Sequence, residues 1–452
     1  MSTFSVTWKS GPVVMDVPDR NIQTVVTAPE LPTLGEPLEL VKRALDDPIG
    51  CPTLEQSLRP GDRVALLVTD TMDSRMGPPQ SLGPYLLDRL NACGIPDDRI
   101  TLVHAAGMHG HYMARQRLGD WWVGRVRYVE HHPAVDDDLA FLGTTPRGTP
   151  IWVNRVVAEA DYVFGVGGCG PSLLGYHGGA GIILPGVAGR VTIRHNHSYL
   201  LISRPLSCWG PGNPMREDVQ DAGDMAGFKM KIDFTANTVF AGYHRAEWPV
   251  ALRYLQQQTM TPVEPADLYI LAPNPSEHLL SFYMKIEMCE QILREGGITI
   301  LVLSGANQPT LPGWTVEESL RQTVTATEAW LKATGEDRVD PTAGERDTLA
   351  KLELMKLPLA DLARIVSLRL GEPRSTVMSW SHKRSLLRRR TFLVTEGISE
   401  DDAAAFGFAY HTRSFNDALD KAFSELGRDA RIIINAPVRG VPLPEQNRVG
   451  EG

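Results

Sequence analysis

Residues 63–69, Arg63-Val-Ala-Leu-Leu-Val-Thr69, decide the fold. The run is short and apolar and follows the turn-forming Pro60-Gly-Asp62, so it reads as a buried strand. Residues 81–93 come next, with Leu82, Tyr85, Leu86 and Leu90 at helical spacing. Ile100-Thr-Leu-Val-His-Ala-Ala106 then forms a second strand that ends at Gly107. Strand, helix and strand make one βαβ unit, which brings the strand ends Thr69–Asp70 and Ala106–Gly107 to the same rim. In open α/β sheets that carboxyl rim is where ligands bind.

Working outward, Ala160-Asp-Tyr-Val-Phe-Gly-Val166 is a third strand, and it runs into the glycine-rich residues 165–190. Glycine at that density suits backbone packed closely around a ligand. Residues 214–230 are expected to be helical, entered through Asn213-Pro-Met-Arg-Glu-Asp218. Thr261-Pro-Val-Glu-Pro-Ala266 is linker-like. Beyond it Asp267-Leu-Tyr-Ile-Leu-Ala-Pro273, a helix over about 278–294, Gly296-Gly297 and the strand Ile298–Leu303 repeat the βαβ pattern. Helices fit 316–333 and 347–369, and strands fit 391–395 and 431–435. The expectation is an α/β protein of two domains with layered sheets: 1–261, then 262–436, with 437–452 as a Pro-rich tail. The active site is expected in the cleft between the domains.

The chain has 452 residues, 42% hydrophobic and 22% charged, which suits a globular protein of more than one domain. Its formal charge of −9 lacks the basic excess of a nucleic-acid binder. No apolar stretch approaches the roughly 20 residues that cross a bilayer, and the first residues do not read as a signal peptide. The five cysteines are scattered without C-x-x-C spacing, so reduced thiols are expected. These features point to a cytoplasmic protein of enzyme size with neither nucleic-acid nor membrane partners.

Histidines gather at strand ends and glycine loops: His104, His109 and His111, then His131-His132, His177, His195 and His197. Imidazole is both a ligand for borderline metals and a base titrating near neutrality. Other templates fail. There is no Walker A lysine motif, no G-x-S-x-G elbow, and Gly165-Val-Gly-Gly-Cys-Gly170 does not open a helix as a dinucleotide loop would. His131-His132, beside Asp136-Asp137-Asp138, reads as a surface acidic loop. His195 is expected to be exposed or to support a neighbour. Arg384 and Arg388 to Arg390 read as a solvated helix end, and Met284, Met288 and Cys289 as helix core.

Four stretches, in order, resemble the nickel-dependent lactate racemase family. They are Leu66-Leu-Val-Thr-Asp-Thr-Met-Asp-Ser-Arg75, Ala106-Gly-Met-His109, Leu142–Pro150 with Val153-Asn154, and Gly175-Tyr-His-Gly-Gly-Ala-Gly-Ile-Ile-Leu-Pro-Gly-Val-Ala-Gly189 with Asn196-His197. Together with Asn213–Asp218 they span roughly residues 60–235. The resemblance implies a nickel-pincer nucleotide, a pyridinium mononucleotide whose two sulfur-bearing arms and a ring carbon grip nickel. It implies racemisation or epimerisation at C2 of a small 2-hydroxyacid, by reversible hydride transfer through a 2-ketoacid. Cofactor biosynthetic enzymes would be indirect partners. Residues 1–261 would bind cofactor and nickel, and 262–436 would close over the substrate.

Carried over by position, His197 is the nickel ligand and His109 a catalytic base. Asp70, Gly178, Gly179, Gly181 and Pro185 would contact the cofactor, and Arg75 and Lys285 the substrate. Gly110 replaces the arginine that follows the family's base histidine, and two further departures bear on the chemistry. Pro171 stands where the second base histidine belongs, and His177 is the candidate to replace it. Gly181 stands where a lysine ties the cofactor covalently, so noncovalent binding is expected. The alternatives are a one-sided redox relative and a cofactor-free protein that binds a small carboxylate.

Overall fold

The computed structural model describes residues 1–8, 11–27, 31–32, 34–69, 81–108, 124–172, 175–201, 213–273, 290–303, 354–370, 373–438 and 441–443. They fall into two compact units. The N-terminal unit is Leu31–Leu255, and the C-terminal unit joins Met1–Glu30 to the described chain from Gln256 onward.

The chain therefore starts in the C-terminal unit. Strands β1 (Ser2–Trp8) and β2 (Gly11–Val17) form an antiparallel hairpin, and β3 (Ile22–Val25) becomes an edge of the C-terminal sheet. Val6, Trp8, Met15 and Val17 alternate onto the face that joins that unit's core. Period-2 patterning is what lets one side of a hairpin bury while the other stays wet.

The N-terminal unit is built on β4 (Val64–Val68), β5 (Ile100–His104), β6 (Arg127–Glu130), the antiparallel pair β7 (Leu139–Thr144) and β8 (Pro150–Asn154), and β9 (Tyr162–Gly168). A small hairpin, β10 (Gly170–Ser172) and β11 (Gly175–His177), precedes β12 (Phe228–Phe234) and β13 (Val239–Gly242). Six strands make one sheet in the order β13-β12-β9-β4-β5-β6, parallel except for β13. The expected βαβ unit is present: β4 and β5 lie side by side, joined through helix α2 (Leu82–Ala92). Helix α1 (Pro37–Asp46) and α2 cover one face, packing Leu40, Val41, Leu86 and Leu90 against it. Helices α3 (Arg190–Ser198) and α4 (Pro214–Met225), with residues 180–188, cover the other.

The helix expected over 214–230 stops at Met225. Gly227 turns the chain with φ +65°, and Phe228, Met230, Ile232 and Phe234 then alternate as β12. Period 2 outweighs helical continuation there.

Helix α5 (His244–Thr259) leads out of this unit, and β14 (Met260–Pro262) pairs in parallel with β20 (Val441–Leu443), which lies inside the stretch read from sequence as a tail. Between them β15 (Ala266–Leu271), β16 (Leu293–Val302), β17 (Thr391–Val394), β18 (Tyr410–Thr412) and β19 (Ile432–Asn435) complete an all-parallel sheet with β3, in the order β18-β17-β16-β15-β19-β3. Helices α6 (Leu359–Ser367), α7 (Pro373–Arg388) and α8 (Phe415–Leu426) belong to this unit, and α8 buries Phe415, Leu419 and Phe423 against the sheet. Among the described residues, no helix is long and apolar enough to cross a membrane.

Candidate functional site

The strand order reverses at β4. The chain runs from β4 to β5 and β6 on one side, then returns to place β9 and β12 on the other. β4 is followed by α2 on one face of the sheet and β9 by α3 on the other, and ligands bind at such a switch point in open α/β sheets. Thr69 closes β4 there, and its N–H donates to Val166 O of β9 at 3.3 Å.

The glycine loop starts at that point. Past β9 the β10–β11 hairpin sets Gly170 opposite His177, and the chain turns through Gly178 (φ +111°) and Gly179 (φ +52°). Left-handed φ favours glycine, and space makes it obligatory. A Cβ on Gly178 would lie 2.9 Å from Cys169 Sγ, and one on Gly179 2.9 Å from Trp248 Cβ. Gly181 differs: its nearest neighbour to an added Cβ is Arg216 Nη1 at 3.5 Å, an ordinary contact.

A buried polar set holds this loop. Gly179 N–H donates to Asp233 Oδ2 at 2.6 Å, and Arg216 Nη2 donates to Gly178 O at 2.5 Å. Lys231 Nζ lies 2.7 Å from Asp233 Oδ1, with both side chains buried. The Arg216 guanidinium stacks 4.1 Å from the Trp248 ring. Burial lowers the Arg216 guanidinium to about 10, so it remains charged at neutral pH. Burial, reinforced by the neighbouring Asp233 charge, pushes the Glu247 carboxyl well above its usual range. Sequence reasoning assigned no role to Lys231, Asp233 or Glu247. The strand alternates polar and apolar residues throughout, with Lys229 exposed, so local pattern does not mark Lys231 and Asp233 as buried.

His177 sits on β11 with Nδ1 2.9 Å from Gly168 O. A carbonyl can only accept, so Nδ1 carries the proton and Nε2 is the basic nitrogen. Pro185, further along the glycine-rich stretch, backs onto the end of β5. A Cβ on Gly107 would lie 3.2 Å from Pro185 O, and Gly107 N–H donates to Gly186 O at 2.9 Å. The second and fourth sequence stretches, Ala106–Gly107 and Gly175–Gly189, therefore meet.

His197 lies in the last turn of α3 and is buried, and burial lowers its imidazole to about 4. It is neutral at physiological pH, as a metal ligand must be. Its Nδ1 is 3.1 Å from Asn196 Oδ1. Asn196 Nδ2 donates to Met215 O at 2.9 Å and to Asp218 Oδ2 at 3.0 Å. Thr145 Oγ1 donates to Asp218 Oδ1 at 2.5 Å and accepts from Thr149 N–H at 3.1 Å. Asn213 caps α4, its side chain accepting from Met215 N–H, which fixes the turn that presents Met215 and Asp218.

Other histidines are more buried than their sequence context indicates. His131 and His132 are not on a surface loop: His131 is fully buried with Nε2 3.0 Å from Ala188 O, and His132 lies 3.4 Å from Asp138. Of the three acids, only Asp136 and Asp137 are exposed. The turn places these acids outward while the end of β6 carries the histidines inward. His104 at the end of β5 is also buried, its Nδ1 2.7 Å from Glu130 Oε1. His195 is half-buried on α3. His109, Asp70, Arg75 and Lys285 lie outside the described residues, as do Met284, Met288 and Cys289.

Among the described residues, no three His, Cys, Asp or Glu side chains converge to hold a metal ion. His197 is the described residue that would hold a metal, and its Nε2 lies opposite the nitrogen engaged by Asn196. The uncrowded position 181 and the backbone of the glycine loop fit a cofactor held without a covalent tie.

Residues 8–210 match the model of the lactate racemase N-terminal domain. The chain is similar to lactate racemase of Lactiplantibacillus plantarum, 28% identical over 285 residues, which cover 59% of this chain and 66% of that protein. It is also similar to lactate racemase of Thermoanaerobacterium thermosaccharolyticum, 23% identical over 324 residues covering 68% and 75%. The fold resembles that of the lactate racemase apoprotein from T. thermosaccharolyticum, with a TM-score of 0.74 at 19% identity, covering 98% of this chain and all of that one. A Thermotoga maritima protein of known structure shares the fold with a TM-score of 0.59 at 16% identity, over 91% and 99% of the two chains.

Proposed function

We propose that this chain, a divergent relative of the lactate racemases, racemises or epimerises a small 2-hydroxyacid at C2 with a nickel-pincer nucleotide held noncovalently. The observation that carries the reading is His197, a buried neutral imidazole with Nδ1 engaged, in the unit whose glycine loop lies at the switch point of the sheet. The matched lactate racemase domain supports the reaction class.

In this reading His197 Nε2 ligates nickel and the glycine loop lines the cofactor. When bound, the cofactor supplies an acceptor for the hydride that leaves C2. The protein's part is proton transfer and orientation. A base takes the hydroxyl proton as C2 becomes trigonal, giving a 2-ketoacid, and the same base or one on the opposite face returns it. His109 takes one face by its place in the sequence, and His177 the other, with Nε2 as the accepting nitrogen. Arg75 and Lys285 are proposed to pair with the substrate carboxylate, since cationic donors fix its orientation.

The test is turnover of single enantiomers of lactate, malate and longer 2-hydroxyacids in deuterated water, using protein made beside the cofactor-building enzymes. Inversion with protium retained at C2 supports hydride transfer. Inversion with deuterium at C2 would replace it with proton abstraction, and no inversion of any acid would remove the racemase reading.

A further inference from the structure

We infer that Asn196 and Asp218 are positioning residues that lock the neutral His197 imidazole with its proton on Nδ1, so that Nε2 presents its lone pair to a borderline divalent metal. Only the identity of what Nε2 meets rests on the function proposed above. That Nδ1 carries a proton follows from hydrogen-bond chemistry alone.

An amide side chain has a donating end and an accepting end, and the surroundings decide which way it points. One end of Asn196 faces Met215 O at 2.9 Å and Asp218 Oδ2 at 3.0 Å. The Met215 carbonyl has no proton to give in any state. Reversing the amide would set its oxygen against two oxygens in a fully buried site, which is costly without water. The NH2 end therefore faces Met215 and Asp218, and Oδ1 faces His197 Nδ1 at 3.1 Å. That oxygen can only accept, so Nδ1 must donate.

Asp218 is itself fixed. Its second oxygen accepts from Thr145 Oγ1 at 2.5 Å, and that hydroxyl is oriented by accepting from Thr149 N–H at 3.1 Å. The relay runs from the turn after β7, through α4, to the last turn of α3. Each member is buried, so solvent does not scramble it. Groups behind a ligating histidine set its tautomer and ring angle in this manner.

The test uses the full chain labelled with 15N-histidine, stripped of metal with a chelator at neutral pH. Nitrogen chemical shifts of the rings are read by solid-state NMR, and His197 is assigned as the signal lost in His197→Gln. The expected spectrum has a protonated Nδ1 and a bare Nε2. In Asn196→Leu, where the acceptor is gone, the neutral ring should pass to a population with Nε2 protonated in the majority. A protonated Nε2 in the parent chain, or an unchanged His197 signal in folded Asn196→Leu, overturns the inference. If that variant does not fold, the parent spectrum still decides. Because the measurement is made without metal or substrate, failure of the racemase reading leaves each outcome unchanged.

Discussion

The backbone N–H of Gly179 donates to Asp233 Oδ2 at 2.6 Å, which ties the left-handed turn of the glycine loop to the end of β12. The same carboxylate holds Lys231 Nζ at 2.7 Å through its other oxygen. A loop in one segment and a buried lysine in another thus share one charge.

Removing that charge affects the two partners differently. Asp233→Asn keeps an acceptor for Gly179 but strands the Lys231 ammonium in the core. Breaking a buried pair by removing one partner costs about 3–5 kcal/mol, so urea denaturation should show a loss of that size. Lys231→Met combined with Asp233→Asn should recover part of it. A loss below about 1 kcal/mol in Asp233→Asn would contradict the pairing.

The glycines of the loop are not equivalent. Gly179→Ala meets both a positive φ and Trp248 at 2.9 Å, and should destabilise by about 2 kcal/mol or more. Gly181→Ala meets only an ordinary contact and should be neutral or gain up to about 1 kcal/mol through the unfolded chain. Thermal denaturation of the two variants, compared side by side, checks the contrast. Equal losses would mean position 181 is as constrained as 179.

Stability should depend on pH through His197. Its folded pKa of about 4 lies below the unfolded value near 6.5, so the unfolded chain binds the extra proton between the two. Stability is therefore greatest above pH 6.5 and falls as pH drops toward 4, by up to about 3 kcal/mol from this group. Metal-free His197→Gln should show a shallower loss over that window than the parent chain. An identical pH slope would place the imidazole in a wetter setting than the one described.

His177→Ala tests the assignment of the second base. Turnover should fall by about 10²–10⁴-fold, the usual contribution of a positioned base, while nickel content stays unchanged. Undiminished turnover would return His177 to a structural role as the partner of Gly168 O.

Much of this architecture was legible because it is periodic. The run at 63–69, the helical spacing after Leu82 and the second run at 100–106 match β4, α2 and β5 nearly to the residue. The opening hairpin was not assigned to the C-terminal unit, because which sheet an edge strand such as β3 joins depends on β19, at the far end of the chain. The density of glycine marked the loop at 178–181, but not what grips it. Asp233 and Arg216, which do, come from separate elements, as does Glu247 beside Asp233, and no local spacing links them. His131 and His132 escape a local reading for a similar reason: Asp136 and Asp137 face solvent, while Ala188 O, far along the chain, lies 3.0 Å from His131 Nε2.

The most direct test of the central claim is nickel analysis and mass spectrometry of the chain made beside the cofactor-building enzymes. Masses are compared under native and denaturing conditions. Nickel and a nucleotide mass are expected on the native protein, both lost on denaturation because Gly181 offers no amine for a covalent tie. A native protein with neither nickel nor added mass, or a nucleotide that survives denaturation, would contradict it.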